Sequence, residues 1–550
     1  MNARATNARP RRAWSISAEQ AAWLRSVVLP LGLSLLCLRS IFHPGYLLQI
    51  DIVFGPRPAP LAHGITAPAS ALEAAAVRAL GGDLAGKVFA VGALFLAGFG
   101  PMVLFRRAAW YAQGAAGFLG AMNPFVYDRL VEGQWYLLIA AGGLFLWLAA
   151  WERLQASPTL RPAVLLALCG SAIVSFDPHM VGPLALLAIV GGIWTRIQRD
   201  RARLRWTAAS IVLLLVLLVP GIVAFFVGSS PGDYATVRHF TGADFAFFRS
   251  TRSPDYGLFA NLVGLYGYWG ERIGRFPLAT GGASWWPATT ALLVAAALLG
   301  GRLRRDRAWL LICGAVALAL SASTALPGAV PTAAWLSARI PVLGAYREPQ
   351  KWSVLWLLAI VVLAAGAVDT TARRRRSAAI ALAYSLVLAA LLPAGVSQIR
   401  SVSSIVSPVV YPRYWYATAD SLEQASRPGD VIAVLPWHLY QPLRATGGRL
   451  VADPAPVFFP GRLVTPDSPE IPGRPSDVES RYDRIALARG QKGSCGLATV
   501  IHRLGVRFVL VLDAAESAQT VVDLRRCGYS LLAGKPGFTA LLRVAGAKVR

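Results

Sequence analysis

The stretch RIQRDRARLRWTAASIVLLLVLLVPGIVAFF, residues 196–226, joins a cluster of arginines to a long apolar run. The run is as long as a helix that crosses a bilayer, which needs about 20 mostly apolar residues. The arginines resist entry into hydrocarbon and hold their end of the helix at a polar surface. Working outward, the same coupling repeats from about residue 27 to about residue 396 and then stops.

Composition agrees. The 550 residues are 55% apolar and 15% charged, with mean hydropathy +0.51; a typical soluble domain is about 25% charged. The pattern predicts a polytopic α-helical membrane protein whose C-terminal tail is long enough to fold around its own core. A net charge of +26 on a soluble chain would suit nucleic acid. Here the arginines sit in short gaps between apolar runs, as in cytoplasmic loops, and no nucleic-acid partner is expected. The first run follows RPRRAWSISAEQAAWLR (9–25) without a small-residue cleavage site, so it is expected to stay as a helix.

The runs predict about eleven membrane helices, near 27–43, 87–105, 108–124, 134–151, 161–176, 180–195, 207–228, 286–300, 308–323, 351–369 and 378–396. Arg9, Arg11 and Arg12 precede the first, and Arg106 and Arg107 follow the second. Arg153 and Arg161 flank the gap after the fourth. RIQRDRARLR follows the sixth, RLRRDR (302–307) the eighth and RRRR (373–376) the tenth. All lie on one side under this count, and the positive-inside rule makes that side the cytoplasm. The expected organisation is a basic cytoplasmic N-terminus (1–26), a transmembrane domain (27–396) and an extracytoplasmic α/β domain (397–550), with the N-terminus inside and the C-terminus outside. The close pair 87–105 and 108–124 is the step at which one helix more or less would reverse everything downstream.

The other gaps, placed outside, carry the chemistry-bearing residues. Asp51 sits in the first, within LLQIDIVFGP (47–56); a carboxylate in apolar surroundings has a raised pKa and suits a general base, unless it is only a satisfied loop aspartate. NPFVYDRLVEGQW (123–135) offers Asp128, Arg129, Glu132 and Gln134, as a binding set or as a structural ion pair with interfacial aromatics. SFDPHM (175–180) places Asp177 and His179 in one turn, able to reach one substrate hydroxyl or one metal ion; Asp-Pro is also a common turn starter. YREPQKW (346–352) carries Arg347, Glu348 and Lys351. On a helix Arg347 and Lys351 would stand one above the other and suit a phosphate, with Glu348 orienting either cation; snorkelling is the plainer alternative. The helix interiors are almost free of ionisable groups, which disfavours an ion-coupled transporter.

Together, a first outer loop with a carboxylate, a large outer loop near 229–285 and a soluble outer tail resemble the GT-C glycosyltransferases. NPFVYDRLVEGQ, FDPH and YREPQKW resemble an actinobacterial and archaeal branch of that superfamily, over residues 40 to 355. The resemblance implies a polyprenyl-phosphate sugar donor in the outer leaflet, a cell-envelope glycan or lipid acceptor, and Asp51 as the base. It further implies that Arg347 and Lys351 hold the donor phosphate while Asp177 and His179 bind sugar or orient the acceptor. Many GT-C enzymes carry two adjacent acids in the first loop, whereas Asp51 has Ile50 and Ile52 beside it; a divalent metal is therefore open and not required by the residues. The alternative is a non-catalytic scaffold or export component for envelope polysaccharide or lipid, for which clusters dispersed in space would speak.

In the tail, DVIAVLPW (430–437) and VRFVLVLD (506–513) read as strands, CGLATVIHRLG (495–505) and AESAQTVVDLRRCG (515–528) as helices, and YSLLAGKPGFTALLRV (529–544) as a hairpin. Cys495 and Cys527 share this outer domain and are expected to form a disulfide, while Cys37, Cys169 and Cys313 lie in apolar helices as packing residues.

Overall fold

The computed structural model describes residues 17–62, 64–227, 240–272, 307–373, 395–466, 471, 485 and 495–544. The expected helix 286–300 and residues 378–394 of the expected helix 378–396 lie outside the described residues, as do the arginines before residue 17, those of 302–305 and those of 374–376.

The membrane region is a helical bundle: α1 (Ala18–Cys37), α2 (Ala67–Leu80), α3 (Gly82–Leu104), α4 (Trp110–Ala121), α5 (Pro124–Glu132), α6 (Trp135–Ala156), α7 (Leu160–Phe176), α8 (Val181–Ile197) and α9 (Arg201–Val227), followed by Trp309–Ala322, Ala329–Arg339 and Ser353–Arg373. Among the described residues six helices are long and apolar enough to cross a membrane, or seven if the bent pair 309–325 and 329–339 is one span. That pair turns through 103° at a break, which the sequence pattern did not show. α7 is a shorter apolar helix, and α4, twelve residues long, reaches only about 18 Å at 1.5 Å per residue.

Local chemistry moves several boundaries. α1 opens on Ser17 and Gln20, each side chain accepting from the other's backbone N–H, a capping box. It therefore starts well before the apolar window at 27, because a hydropathy window does not register a polar first turn. A 3-10 turn, Arg39–Phe42, ends it before residue 43. Likewise α3 begins at Gly82, and the first loop contains α2. α3, α4 and α6 meet through small residues. A Cβ at Gly100 would strike the Gly142 carbonyl, and one at Gly120 the Ala97 carbonyl, the close approach that drives helix association where lipid offers no hydrophobic gain.

The long helices carry their termini to two ends of the bundle. One gathers Arg106, Arg107, Arg153, Arg203 and Arg307. The other gathers the first loop, α5, the 3-10 turn Pro178–Met180 and the start of Ser353–Arg373.

The tail forms a mixed sheet in the order β4-β1-β5-β7-β6: β1 (Val431–Leu435), β4 (Arg462–Val464), β5 (Phe508–Val511), β6 (Tyr529–Gly534) and β7 (Ala540–Val544). β1 pairs in parallel with β4 and β5, and β7 runs antiparallel to β5 and β6. Period-two alternation divides the buried strand residues between two cores. Ile432, Val434, Phe508 and Leu510 pack with Trp415 of the helix Arg413–Ala425. Ala433, Leu435, Val509 and Val511 pack with Ile501 and Val521 of the helices Gly496–Arg503 and Ser517–Arg526. Cys495 and Cys527, beside these two helices, are disulfide-bonded. β4, and the hairpin of β2 (Tyr440–Pro442) with β3 (Leu450–Ala452), lie between the predicted strand 430–437 and the predicted helix 495–505, where no element is expected, because three-residue strands among prolines show no period.

The sheet core also takes in Leu48 of the first loop. Tyr46 and Val409 exchange backbone hydrogen bonds at 2.8 Å, and the Ala452 N–H donates to the Gln49 carbonyl at 3.3 Å. The first loop is thus clamped between bundle and tail.

Candidate active site

Asp51 stands at the tip of that clamped loop. Gln49 donates its N–H to the Ile52 carbonyl at 2.8 Å, and Phe54 donates to Leu47 at 3.0 Å. The folded-back turn buries Leu48, Ile50, Ile52 and Phe54 and leaves the Asp51 side chain outermost. Its N–H donates to the Glu132 carbonyl at 2.9 Å. α5 ends beside it on Gly133, whose φ of +94° suits a helix cap without a Cβ. A Cβ there would press on Gln49 and Ile52, so glycine is what lets α5 approach the loop.

From Asp51 a chain of polar contacts runs through all of the motifs. Asp51 Oδ2 accepts from Gln134 Nε2 at 2.7 Å, and Gln134 Oε1 accepts from Arg129 Nη1 at 2.7 Å. Arg129 Nη1 lies 3.5 Å from Glu348 Oε2, and Lys351 Nζ lies 3.7 Å from the same oxygen. Lys351 Nζ is 3.3 Å from both ring nitrogens of His179, whose Nδ1 is 2.7 Å from Asp177 Oδ1. With Nδ1–H donating to Asp177, Nε2 is left to accept from Lys351. Tyr346 closes this side: its hydroxyl accepts from the Gly182 N–H at 2.8 Å and donates to the His179 carbonyl at 3.2 Å.

Arg129 is only 1% exposed and Glu348 and Lys351 are 7% exposed each. Charges so buried are tolerated because each is paired. Arg129 also stacks on Tyr268, 4.3 Å from the ring centre. Asp128 and Arg129, neighbours in sequence, face different partners, since adjacent helical residues point apart. Asp128 meets Glu271 of the helix Trp269–Arg272, and burial followed by that second carboxyl raises Asp128 well above the usual range. Burial lifts Glu271 to about 7. Glu132 serves through its backbone carbonyl.

Asp51 differs in character from the other acids. It keeps accessible surface, yet burial, and then Glu348, raise its pKa against the donors Gln134 and Tyr440 and the cation Lys351. The Asp51 carboxyl is thus reachable from the surface while its neighbours oppose its charge. Asp177 and Glu348 move the other way. Burial would raise both, but His179 and Lys351 bring Asp177 down to about 2, and Lys351, Arg129 and Arg347 do the same for Glu348. These two carboxylates stay charged and serve as anchors.

The segment 347–352 is not one α-helix. Glu348, at φ −95° and ψ 80°, separates two 3-10 turns, Pro341–Arg347 and Pro349–Trp352. Arg347 therefore does not share a helical face with Lys351. Its guanidinium lies over Phe240 and Phe248, 4.1 and 4.9 Å from the ring centres. Its Nε is a buried donor without a hydrogen-bond partner.

The sequence reading missed Tyr440, Glu271, Tyr346 and Tyr268. Tyr440 comes from the tail on β2, and its hydroxyl donates to Asp51 Oδ1 at 3.3 Å. Tyr346 opens YREPQKW but was passed over for its charged neighbours, and Tyr440, Glu271 and Tyr268 lay in stretches from which no site residue was singled out. Among the described residues no three His, Cys, Asp or Glu side chains gather as a metal-ligand set.

No family model matches the sequence, and no curated protein is significantly similar to it. Solved structures do match by fold. Arabinofuranosyltransferase AftD from Mycobacteria superposes with a TM-score of 0.57 at 15% identity, over 96% of this chain and 40% of that one. The chain thus spans about two fifths of that protein's length. The R1389S mutant of AftD gives 0.55 at 15% identity, over 97% and 41%. ArnT from Cupriavidus metallidurans, in the apo state, gives 0.47 at 13% identity, over 97% and 100%. Over their shared length the chain has the fold of arabinofuranosyltransferase AftD.

Proposed function

We propose that this protein is a membrane glycosyltransferase. It moves a sugar from a polyprenyl-phosphate donor to a cell-envelope glycan or lipid acceptor, at the face of the bundle that carries Asp51. The observation that carries the proposal is the contact chain from Asp51 to Asp177. It joins four motifs far apart in sequence at one end of the bundle, where a dispersed arrangement would have suited a scaffold. In this reading the Asp51 end and the tail domain are extracytoplasmic, and the membrane is the cytoplasmic one.

The chemistry follows from the charges. An acceptor hydroxyl reaches the exposed Asp51 carboxylate and gives its proton to it. Its oxygen attacks the anomeric carbon as the bond from that carbon to the phosphate oxygen breaks. The polyprenyl phosphate leaves with the electron pair, and the anomeric centre inverts. A raised pKa makes Asp51 a better proton acceptor when ionised. Arg347, stacked on two rings with an unpartnered Nε, is the cation best placed to meet the donor phosphate, and Lys351, held by Glu348 and His179, adds positive charge to the same end. Both would stabilise negative charge that grows in the transition state. Asp177 and Glu348 hold His179, Lys351 and Arg129 in position.

The test is release of polyprenyl phosphate from a panel of lipid-phosphate sugars by the purified protein in lipid. Asp51→Asn and Arg347→Ala should each abolish turnover at unchanged expression. Equal turnover in both variants and wild type would remove these residues from the mechanism.

A further inference from the structure

At the other end of the bundle lies a cavity of about 540 Å³. Its lining carries five arginines, Arg106, Arg107, Arg153, Arg203 and Arg307, against two acids, Glu152 and Asp369. The two acids offset one of the five at most. Glu152 is taken by Arg307, at 2.7 Å, and Asp369 accepts the Ala109 N–H at 2.9 Å. Arg203 pairs outside the lining, with Asp200 at 2.9 Å. Arg106, Arg107 and Arg153 have no carboxylate partner among the described residues. They crowd one another: burial, and then Arg153 and Arg107, make the Arg106 guanidinium easier to deprotonate than usual. Like charges held together beside low-dielectric walls attract an anion.

The walls define the rest of the ligand. Trp151, Trp194 and Trp309 line the cavity. It runs along the helix Ser353–Arg373 from Thr370 to Ala359, roughly 16 Å at 1.5 Å per residue. Gly366 lies on this wall, and a Cβ built there meets nothing within 4 Å. An arginine rim above an apolar shaft at a membrane surface fits a charged head with a hydrocarbon chain.

We propose that this cavity binds a phosphate anion, supplied by the headgroup of an anionic lipid in the leaflet opposite Asp51. The inference stands apart from the assignment of Asp51, because no residue is shared.

The experiment measures the thermal midpoint of the detergent-purified full chain with dihexanoyl phosphatidylglycerol, dihexanoyl phosphatidylcholine or inorganic phosphate. Native mass spectrometry counts retained phosphatidylglycerol. Phosphatidylglycerol should raise the midpoint of wild type and phosphatidylcholine should not. The doubly substituted Arg106→Ala/Arg153→Ala protein should bind phosphatidylglycerol at least about tenfold more weakly, the loss of one charge-assisted contact or more. Gly366→Leu fills the shaft while keeping every arginine, and should lose the lipid as well; it keeps the test open if the arginine variant does not fold. Arg78→Ala/Arg339→Ala removes the same charge from exposed positions elsewhere and should behave as wild type. A shift produced by inorganic phosphate alone and preserved in Gly366→Leu would assign the cavity to free phosphate. No shift in wild type, or an equal shift in wild type and both cavity variants, would overturn the proposal.

Discussion

Asp51 shows how one residue's setting separates function from stability. In the unfolded chain an aspartate ionises near pH 4 (about 3.9); in the fold Asp51 ionises higher, because burial and Glu348 oppose its charge. Between the two values the folded state holds the extra proton, so this residue's contribution to stability falls as pH rises. Asparagine cannot ionise and escapes that cost. Asp51→Asn should therefore be at least as stable as wild type at pH 7 while losing transfer, and calorimetry beside the release assay checks both. Asp177 and Glu348, held down to about 2, have the opposite sign: their stabilisation is present above the unfolded value near 4 and is lost as pH falls toward 2. Arg129 is a third kind of residue, a buried cation shared by Glu348 and Gln134. Arg129→Ala should destabilise the protein by about 3 kcal/mol, since removing one partner strands buried charge; an unchanged unfolding midpoint would contradict this.

At the scale of elements, the tail reaches the site through one short hairpin. Tyr440 on β2 donates to Asp51 Oδ1 and so stabilises the carboxylate. Tyr440→Phe should raise the Asp51 pKa further and move the acid limb of the transfer pH profile upward, with the alkaline limb in place. An unmoved acid limb would mean that the hydroxyl does not act on Asp51. The disulfide Cys495–Cys527, at a sequence separation of 32, ties two helices of the sheet domain. Cys527→Ser should cost that domain about 4 kcal/mol by loop closure, seen as an earlier denaturant midpoint. Elements were legible where periodicity was long, as in α3, α6, β1 and β5. They were not where it was short, as in β2 to β4, or interrupted, as in the 103° bend after Trp309–Ala325.

The whole molecule has two chemically distinct ends. One carries the Asp51 chain and the tail domain, the other the arginine cavity. If the arginine end is cytoplasmic, as the positive-inside rule has it, a membrane-impermeant maleimide on intact cells should label Tyr256→Cys and not Arg107→Cys. Labelling of Arg107→Cys alone would reverse the orientation.

The sequence by itself determined that the chain lives in a membrane, which helix ends carry arginines, and which motifs hold polar residues, because these follow from local composition and period. It also pointed to Asp51, Arg129, Gln134, Asp177, His179, Glu348 and Lys351 one motif at a time. Only the tertiary structure decided that they form one chain of contacts, that Asp128 turns away to Glu271, that Arg347 stands apart from Lys351, and that Tyr440 arrives from the tail. The physical reason is that contacts between residues hundreds of positions apart depend on helix packing and on a clamped loop, and no local pattern in the chain encodes where those surfaces meet.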